Sequence, residues 1–173
     1  MAKRNNHGFT LIEMIVVTAM VVVIAGIAGA GISSAFGARS SRAAKTVDGM
    51  ISQSKINALS GRRNCMVLSY SEDDKCFKCA LYEIENGVIA DKPYEEEDVG
   101  NAQLEIKAGE ISLKSSPLNL EFNMDTGAVK SLSAGSVTLL DSSTPQSTVN
   151  LNFNFYTGHV ITIYRSTGEH TFD

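Results

Sequence analysis

Between Met14 and Phe36 the chain carries 23 residues without a charge, and only Thr18, Ser33 and Ser34 among them are polar. At about 1.5 Å per residue a helix over this run is about 35 Å long, slightly more than the hydrocarbon thickness of a bilayer. The three hydroxyls can bond back to helix carbonyls, so the segment holds no group that lipid could not accommodate. Only Glu13, at the edge of the run, is expensive to bury. Whatever else this chain folds into, it must cover that helix with lipid or with other apolar helices.

Directly before the run stands Gly8-Phe9-Thr10-Leu11-Ile12-Glu13, preceded by a short basic segment with Lys3 and Arg4. This arrangement resembles the class III signal of type IV pilins and pseudopilins. In that family a prepilin peptidase cuts after the glycine, here Gly8, and N-methylates the new first residue, here Phe9. The cut precedes the apolar run, so the helix is retained. Cleavage would also create an amine at Phe9, four residues upstream of Glu13, where the helix dipole favours a negative side chain. In a bundle of such helices Glu13 of one subunit could pair with the Phe9 amine of a neighbour. The Coulomb attraction is about 4 kcal/mol at 4 Å and an effective dielectric of about 20, and desolvation removes much of it. Such a pair sets register more than it adds stability, so Glu13 is expected to align subunits during assembly. The rival reading is an ordinary secretory signal cut at Ala28-Gly29-Ala30. Its apolar core, 22 residues from Phe9 to Ala30 and containing an acid, exceeds the usual length of about 7–15 residues.

The remaining length suits one globular domain. We therefore expect a leader at 1–8, an assembly half of the helix at 9–36, an amphipathic half at 37–61 and a β-rich head at 62–173. The head carries nine Lys/Arg against seventeen Asp/Glu, a net charge of -8 that should repel nucleic acid and anionic lipid. Charge does not orient the membrane segment. Lys3 and Arg4 lie before it, while Arg39, Arg42 and Lys45 lie just after it. The pilin resemblance implies a single pass through the cytoplasmic membrane with the head outside.

Past the apolar run, Ala43, Val47, Met50, Ile51, Ser54 and Ala58 recur on one helical stripe, with Arg42, Lys45, Asp48 and Lys55 away from its centre. One continuous helix from about Phe9 to Leu59 is expected, stopped by Gly61. Ala25, Gly26, Gly29 and Ala30 form small-xxx-small pairs that permit close helix approach, and glycines at 26, 29, 31 and 37 are its weakest points.

After Gly61 the pattern is β. Strands are expected over 66–70, 77–84, 102–107, 111–114, 118–123, 129–132, 137–140, 149–155, 160–164 and 170–172, with Asn86-Gly87 as a hairpin turn. Pro93-Tyr94-Glu95-Glu96-Glu97-Asp98 reads as a solvated loop. Two echoing segments, Phe122–Val129 and Phe153–Val160, each place Thr-Gly between strands, so Gly127 and Gly158 are read as turn glycines with positive φ.

With Ser41-Arg42-Ala43, Lys55-Ile56-Asn57-Ala58 and a late Phe-Asn-x-x-x-Gly turn, the whole is similar to minor pseudopilins of the GspH/FimT-like group, although Lys55 stands where that group is expected to have arginine. The implied fold is α+β: a long N-terminal helix packed on an antiparallel β-rich head. The implied role is a structural subunit of a type IV pilus or a type II secretion-like pseudopilus. Its implied partners are other pilin or pseudopilin subunits, the prepilin peptidase, and the assembly platform and ATPase.

No nucleophile elbow, phosphate-cradling loop or complete metal motif is present, so we expect neither enzyme activity nor a cofactor. His159 and His170 read as strand or surface histidines. Cys76-Phe77-Lys78-Cys79 has the spacing of half a zinc or redox motif without a second pair. With the intervening turn centred near Asp73, Cys65 and Cys79 share a sheet face and Cys76 takes the other, which points to a Cys65–Cys79 disulfide. Two other classes of function compete with the structural one. DNA capture is opposed by the acidic head. A membrane-anchored thiol enzyme would rest on Cys76 and Cys79.

Overall fold

The computed structural model describes residues 11–155 and 157–173, and for residues 24–37, 155 and 157 it describes the backbone alone. Among the described residues there are one helix, α1 (Leu11–Leu59), and twelve strands. These are β1 (Asn64–Ser71), β2 (Cys76–Glu85), β3 (Val88–Ile89), β4 (Glu95–Asn101), β5 (Glu105–Ala108), β6 (Ile111–Ser112), β7 (Leu118–Phe122), β8 (Val129–Ala134), β9 (Val137–Leu140), β10 (Thr148–Phe155), β11 (Thr157–Tyr164) and β12 (His170–Phe172). The chain divides into two units, residues 1–35 and 36–173. The helical backbone of α1 runs unbroken through Gly26, Gly29, Gly31 and Gly37.

Within the second unit, α1 ends where the sequence says it must. Gly61 takes φ +89°, its N–H bonds the Ala58 carbonyl at 2.9 Å, and the Arg62 N–H reaches back to Asn57 at 3.0 Å. This pair of bonds satisfies carbonyls that the helix end would otherwise leave unpartnered. The expected stripe is the buried face: Ala43, Val47, Met50, Ile51, Ser54 and Ala58 are all buried, while Arg42 and Lys45 are exposed. Ser54 is accommodated there because its hydroxyl donates to Asn64 Oδ1 at 2.6 Å, and Asn64 Nδ2 donates to the carbonyls of Ser54 and Arg62, both at 3.1 Å. A buried polar pair with its bonds made locks the helix to the start of β1.

The strands form two antiparallel sheets. One has the order β3-β2-β1-β7-β8-β9, with β4 also pairing β2; the other has the order β12-β11-β10-β5-β6. Met66, Leu68, Phe77 and Leu120 from the first sheet, and Ile106, Leu151, Phe153 and Ile161 from the second, share one core with the helix stripe. The Asn86-Gly87 turn forms with φ of 52° and 84°, the positive pair that joins twisted strands without splaying them.

Three expectations are corrected. The acidic run is not a loop: Glu95–Asp98 lie in β4, hydrogen-bonded to β2 with Glu96 opposite Ala80 and Asp98 opposite Lys78. Its four carboxylates are exposed on an outer strand, where charge deters edge pairing with other chains. The echo is also imperfect. Gly127 does take φ +67° in the β7–β8 turn, whereas Gly158 lies inside β11 opposite Asn154.

Finally, the β1–β2 register opposes Ser71 to Cys76, which centres the turn between Asp73 and Asp74 rather than on Asp73. That half-residue shift puts Cys65 opposite Tyr82 and Cys79 opposite Leu68. The two cysteines are thus an odd number of positions apart and on opposite faces, with about 10 Å of strand between them. All three thiols are free. A Cys65–Cys79 disulfide does not fit this geometry, since bridged Cα atoms stand within about 7 Å.

Candidate assembly surface

The first described turns of α1 differ from everything after Ala43. Leu11 is 79% exposed, Val22 is 70% exposed, and Ile12, Met14, Ile15, Val16, Val17, Met20, Val21 and Val23 are exposed as well. A helix apolar on every side has no water-facing side, so it must be covered by lipid or by similar helices. Thr18 is made compatible with such a setting by bonding its own backbone, at 2.6 Å to the Met14 carbonyl and 3.1 Å to that of Ile15. Val16, Ala19, Met20 and Val23 border a shallow apolar hollow. Glu13 stands in the first described turn, the one acidic group there. Among the described residues no helix is long and apolar enough to cross a membrane. Most of the expected span, together with the small-residue pairs at 25–30 and the hydroxyls of Ser33 and Ser34, falls on side chains outside the description.

In the head, the thiols are poorly suited to nucleophilic chemistry. Burial pushes Cys65 up to about 11, with the Glu121 carboxylate adding to the effect, and pushes Cys79 up to about 12, assisted by Glu97. Cys76 is raised too, by burial and then by Asp98 and Asp74. All three are therefore thiols, not thiolates, at neutral pH.

A grouping that the sequence did not disclose involves Ser52, Asp48 and His170. His170 Nε2 lies 3.1 Å from Ser52 Oγ and 3.1 Å from Asp48 Oδ1, while its Nδ1 is buried without a hydrogen-bond partner. A nucleophile triad needs the serine on one ring nitrogen and the acid on the other. Here both meet the same nitrogen, so the grouping is a clip that fastens β12 to α1. Lys55 Nζ adds a second clip, to the Thr167 carbonyl at 3.0 Å, and Asn57 a third, to the Tyr94 hydroxyl at 2.9 Å.

Two crystal forms of the type IV minor pilin FimU from Pseudomonas aeruginosa resemble this structure. One is 18% identical, covering 76% of this chain and 85% of FimU with a TM-score of 0.50. The other is 17% identical, covering 76% and 90% with a TM-score of 0.49. At this identity the first likeness establishes the fold. Independently, residues 3–29 match the family model for the prokaryotic N-terminal methylation motif. The chain is type IV pilin-like. No curated protein matches it.

In this pilin-like chain Gly8 and Phe9 fall inside the matched motif and outside the described residues, whereas Glu13 belongs to both.

Proposed function

We propose that this protein is a minor pilin or pseudopilin, a structural subunit of a type IV pilus or a type II secretion-like pseudopilus, and not an enzyme. In this reading residues 1–8 are a leader removed by prepilin peptidase after Gly8, and Phe9 becomes the N-methylated first residue. Residues 9–36 then hold the subunit in the cytoplasmic membrane and pack against sister helices, with Glu13 paired to a neighbour's Phe9 amine. Residues 37–61 couple that helix to the head at 62–173, outside the membrane, and the assembly platform and ATPase drive incorporation.

The observation that carries this reading is the combination of the methylation motif at 3–29 with a helix whose described first turns are apolar on every side. The decisive experiment is mass spectrometry of the N-terminal peptide of native protein purified from membranes. N-methylphenylalanine at Phe9 is expected. A chain beginning near Gly31, released without its helix, overturns the proposal.

A further inference from the structure

Charge is unevenly distributed in the second unit. Residues 62–173 carry nine Lys/Arg against seventeen Asp/Glu, yet the outward face of the helix before them is basic. Arg42 and Lys45 are exposed there, away from the buried stripe that begins at Ala43. Among the described residues neither makes an ion pair. Gly49, one turn beyond Lys45, is exposed as well, and nothing lies within 4 Å of the place a Cβ would take. The helix surface beside the two cations is therefore low and open. Arg42, and Arg39 with an interaction of its own, also border a pocket of about 350 Å³ that Asp98 and Leu104 help to line, so the end of β4 neighbours this part of the helix.

On β4 the carboxylates divide by side. Glu96 pairs with Lys78 at 3.2 Å, and Asp98 accepts from the Cys76 thiol at 3.9 Å. Glu95 and Glu97 alternate with them, opposite Leu81 and Cys79 in the ladder, and are exposed because β4 is an outer strand. Neither has an ion-pair partner among the described residues. Two positions apart on a strand, they stand about 7 Å apart on one side of it. Arg42 and Lys45, three positions apart on a helix, stand about 5–6 Å apart. The described chain thus presents two cations and two anions at matching spacing, and its own fold does not bring them into contact. Copies whose heads each carry a net charge of -8 repel when they stand side by side, and the repulsion is relieved where cations of one face acids of another.

We propose that the Arg42–Lys45 face of the helix docks on Glu95 and Glu97 of a second copy of this chain. The inference deepens the subunit reading given above and rests on it, adding a contact between heads to the packing of apolar helices. Exposed ion pairs of this kind fix register and orientation more than they add affinity, and salt screens them.

The test uses the full chain in detergent micelles, as a mixture of unlabelled and 15N-labelled protein, treated with a water-soluble carbodiimide. This reagent joins a lysine amine to a carboxylate in contact with it as an amide, without leaving a spacer. Mass spectrometry of the peptides is expected to find Lys45 joined to Glu95 or Glu97 with one partner light and the other heavy. R42E, which leaves every joined atom in place, should lower that yield about tenfold, because one attraction becomes a repulsion. K75E, in the β1–β2 turn, should leave it unchanged. A mixture of R42E/K45E with E95K/E97K should restore a link between position 45 of one chain and position 95 or 97 of the other. Links confined to a single isotope overturn the proposal, since the pair then forms within one chain or not at all. Equal yield from R42E and the unsubstituted chain also overturns it. So does the absence of a link in the charge-swapped mixture, which assigns the cations to a different anionic partner, such as a lipid headgroup. The same digest separates the two levels. N-methylphenylalanine at Phe9 without the mixed link refutes this inference alone, and a chain beginning near Gly31 refutes the subunit reading as well.

Discussion

Gly168→Ala isolates what close backbone packing contributes to the head. Gly168 has φ +61°, and a Cβ there would overlap the Gly127 carbonyl oxygen and stand 3.0 Å from Phe122 Cε1. Gly109 has nearly the same dihedral, φ +58°, with nothing within 4 Å of the corresponding position. Alanine at either site meets the left-handed conformational penalty, about 1–2 kcal/mol. Only at 168 must the β7–β8 turn also move, and overpacking of that kind adds about 1–3 kcal/mol. The space beside that turn is limited on the helix side too, since a Cβ added at Gly127 would stand 3.0 Å from Lys55 Cε and 3.3 Å from Leu59 Cδ2. Both variants should be unfolded in urea as full chains in detergent, followed by circular dichroism because the protein has no tryptophan. With an m-value of about 1–2 kcal/mol/M, the midpoint of G168A should fall about 0.5–3 M below that of G109A. Equal shifts in the two variants would show that the dihedral alone matters and that the 168–127 approach is not a constraint.

Further outcomes follow from other contacts. In a double-mutant cycle, D48N and H170Q should each loosen β12 and be coupled by about 1 kcal/mol; strict additivity would deny the clip. Asn64→Ala strands the Ser54 hydroxyl in the core and should cost about 1–3 kcal/mol in the same urea assay. For Cys65 and Cys79 burial in the folded chain holds the proton to about 11 and about 12, against an ordinary thiol value of 9.0. The unfolded chain loses its thiol protons first, so stability is unaffected below pH 9 and declines as pH rises towards those values, by about 1.4 kcal/mol per pH unit per group. A flat alkaline limb would contradict this. Alkylation of native protein at neutral pH should label Cys76 before the two buried thiols. Glu13→Gln should leave membrane insertion unchanged and abolish incorporation into filaments, which immunogold labelling of sheared filaments would report.

The periodic parts of the molecule were legible because local pattern and tertiary burial agree. The stripe from Ala43 to Ala58, the Gly61 stop and the Asn86-Gly87 turn each follow from helix or turn geometry within a few residues. The acidic strand was not legible, since Glu95–Asp98 is poor in β-formers and its pairing is set by β2. The thiol faces failed on a half-residue shift, because a period of two turns any register error into a change of side. The Ser52–His170 contact joins residues 118 apart in sequence, a juxtaposition that only the completed topology creates. The basic residues after the apolar run were visible from the start, but the pocket they border needed β4 in place.

The polar clips along α1 bear on how the head responds to tension. They attach Asp48, Ser52, Ser54, Lys55 and Asn57, barely three turns of helix, to β12, β1 and the segments preceding β12 and β4. A pull along the helix axis therefore strains them in parallel rather than one after another, so the head should resist axial extraction as a sheared patch and yield far more readily to a peeling force applied at its carboxyl end.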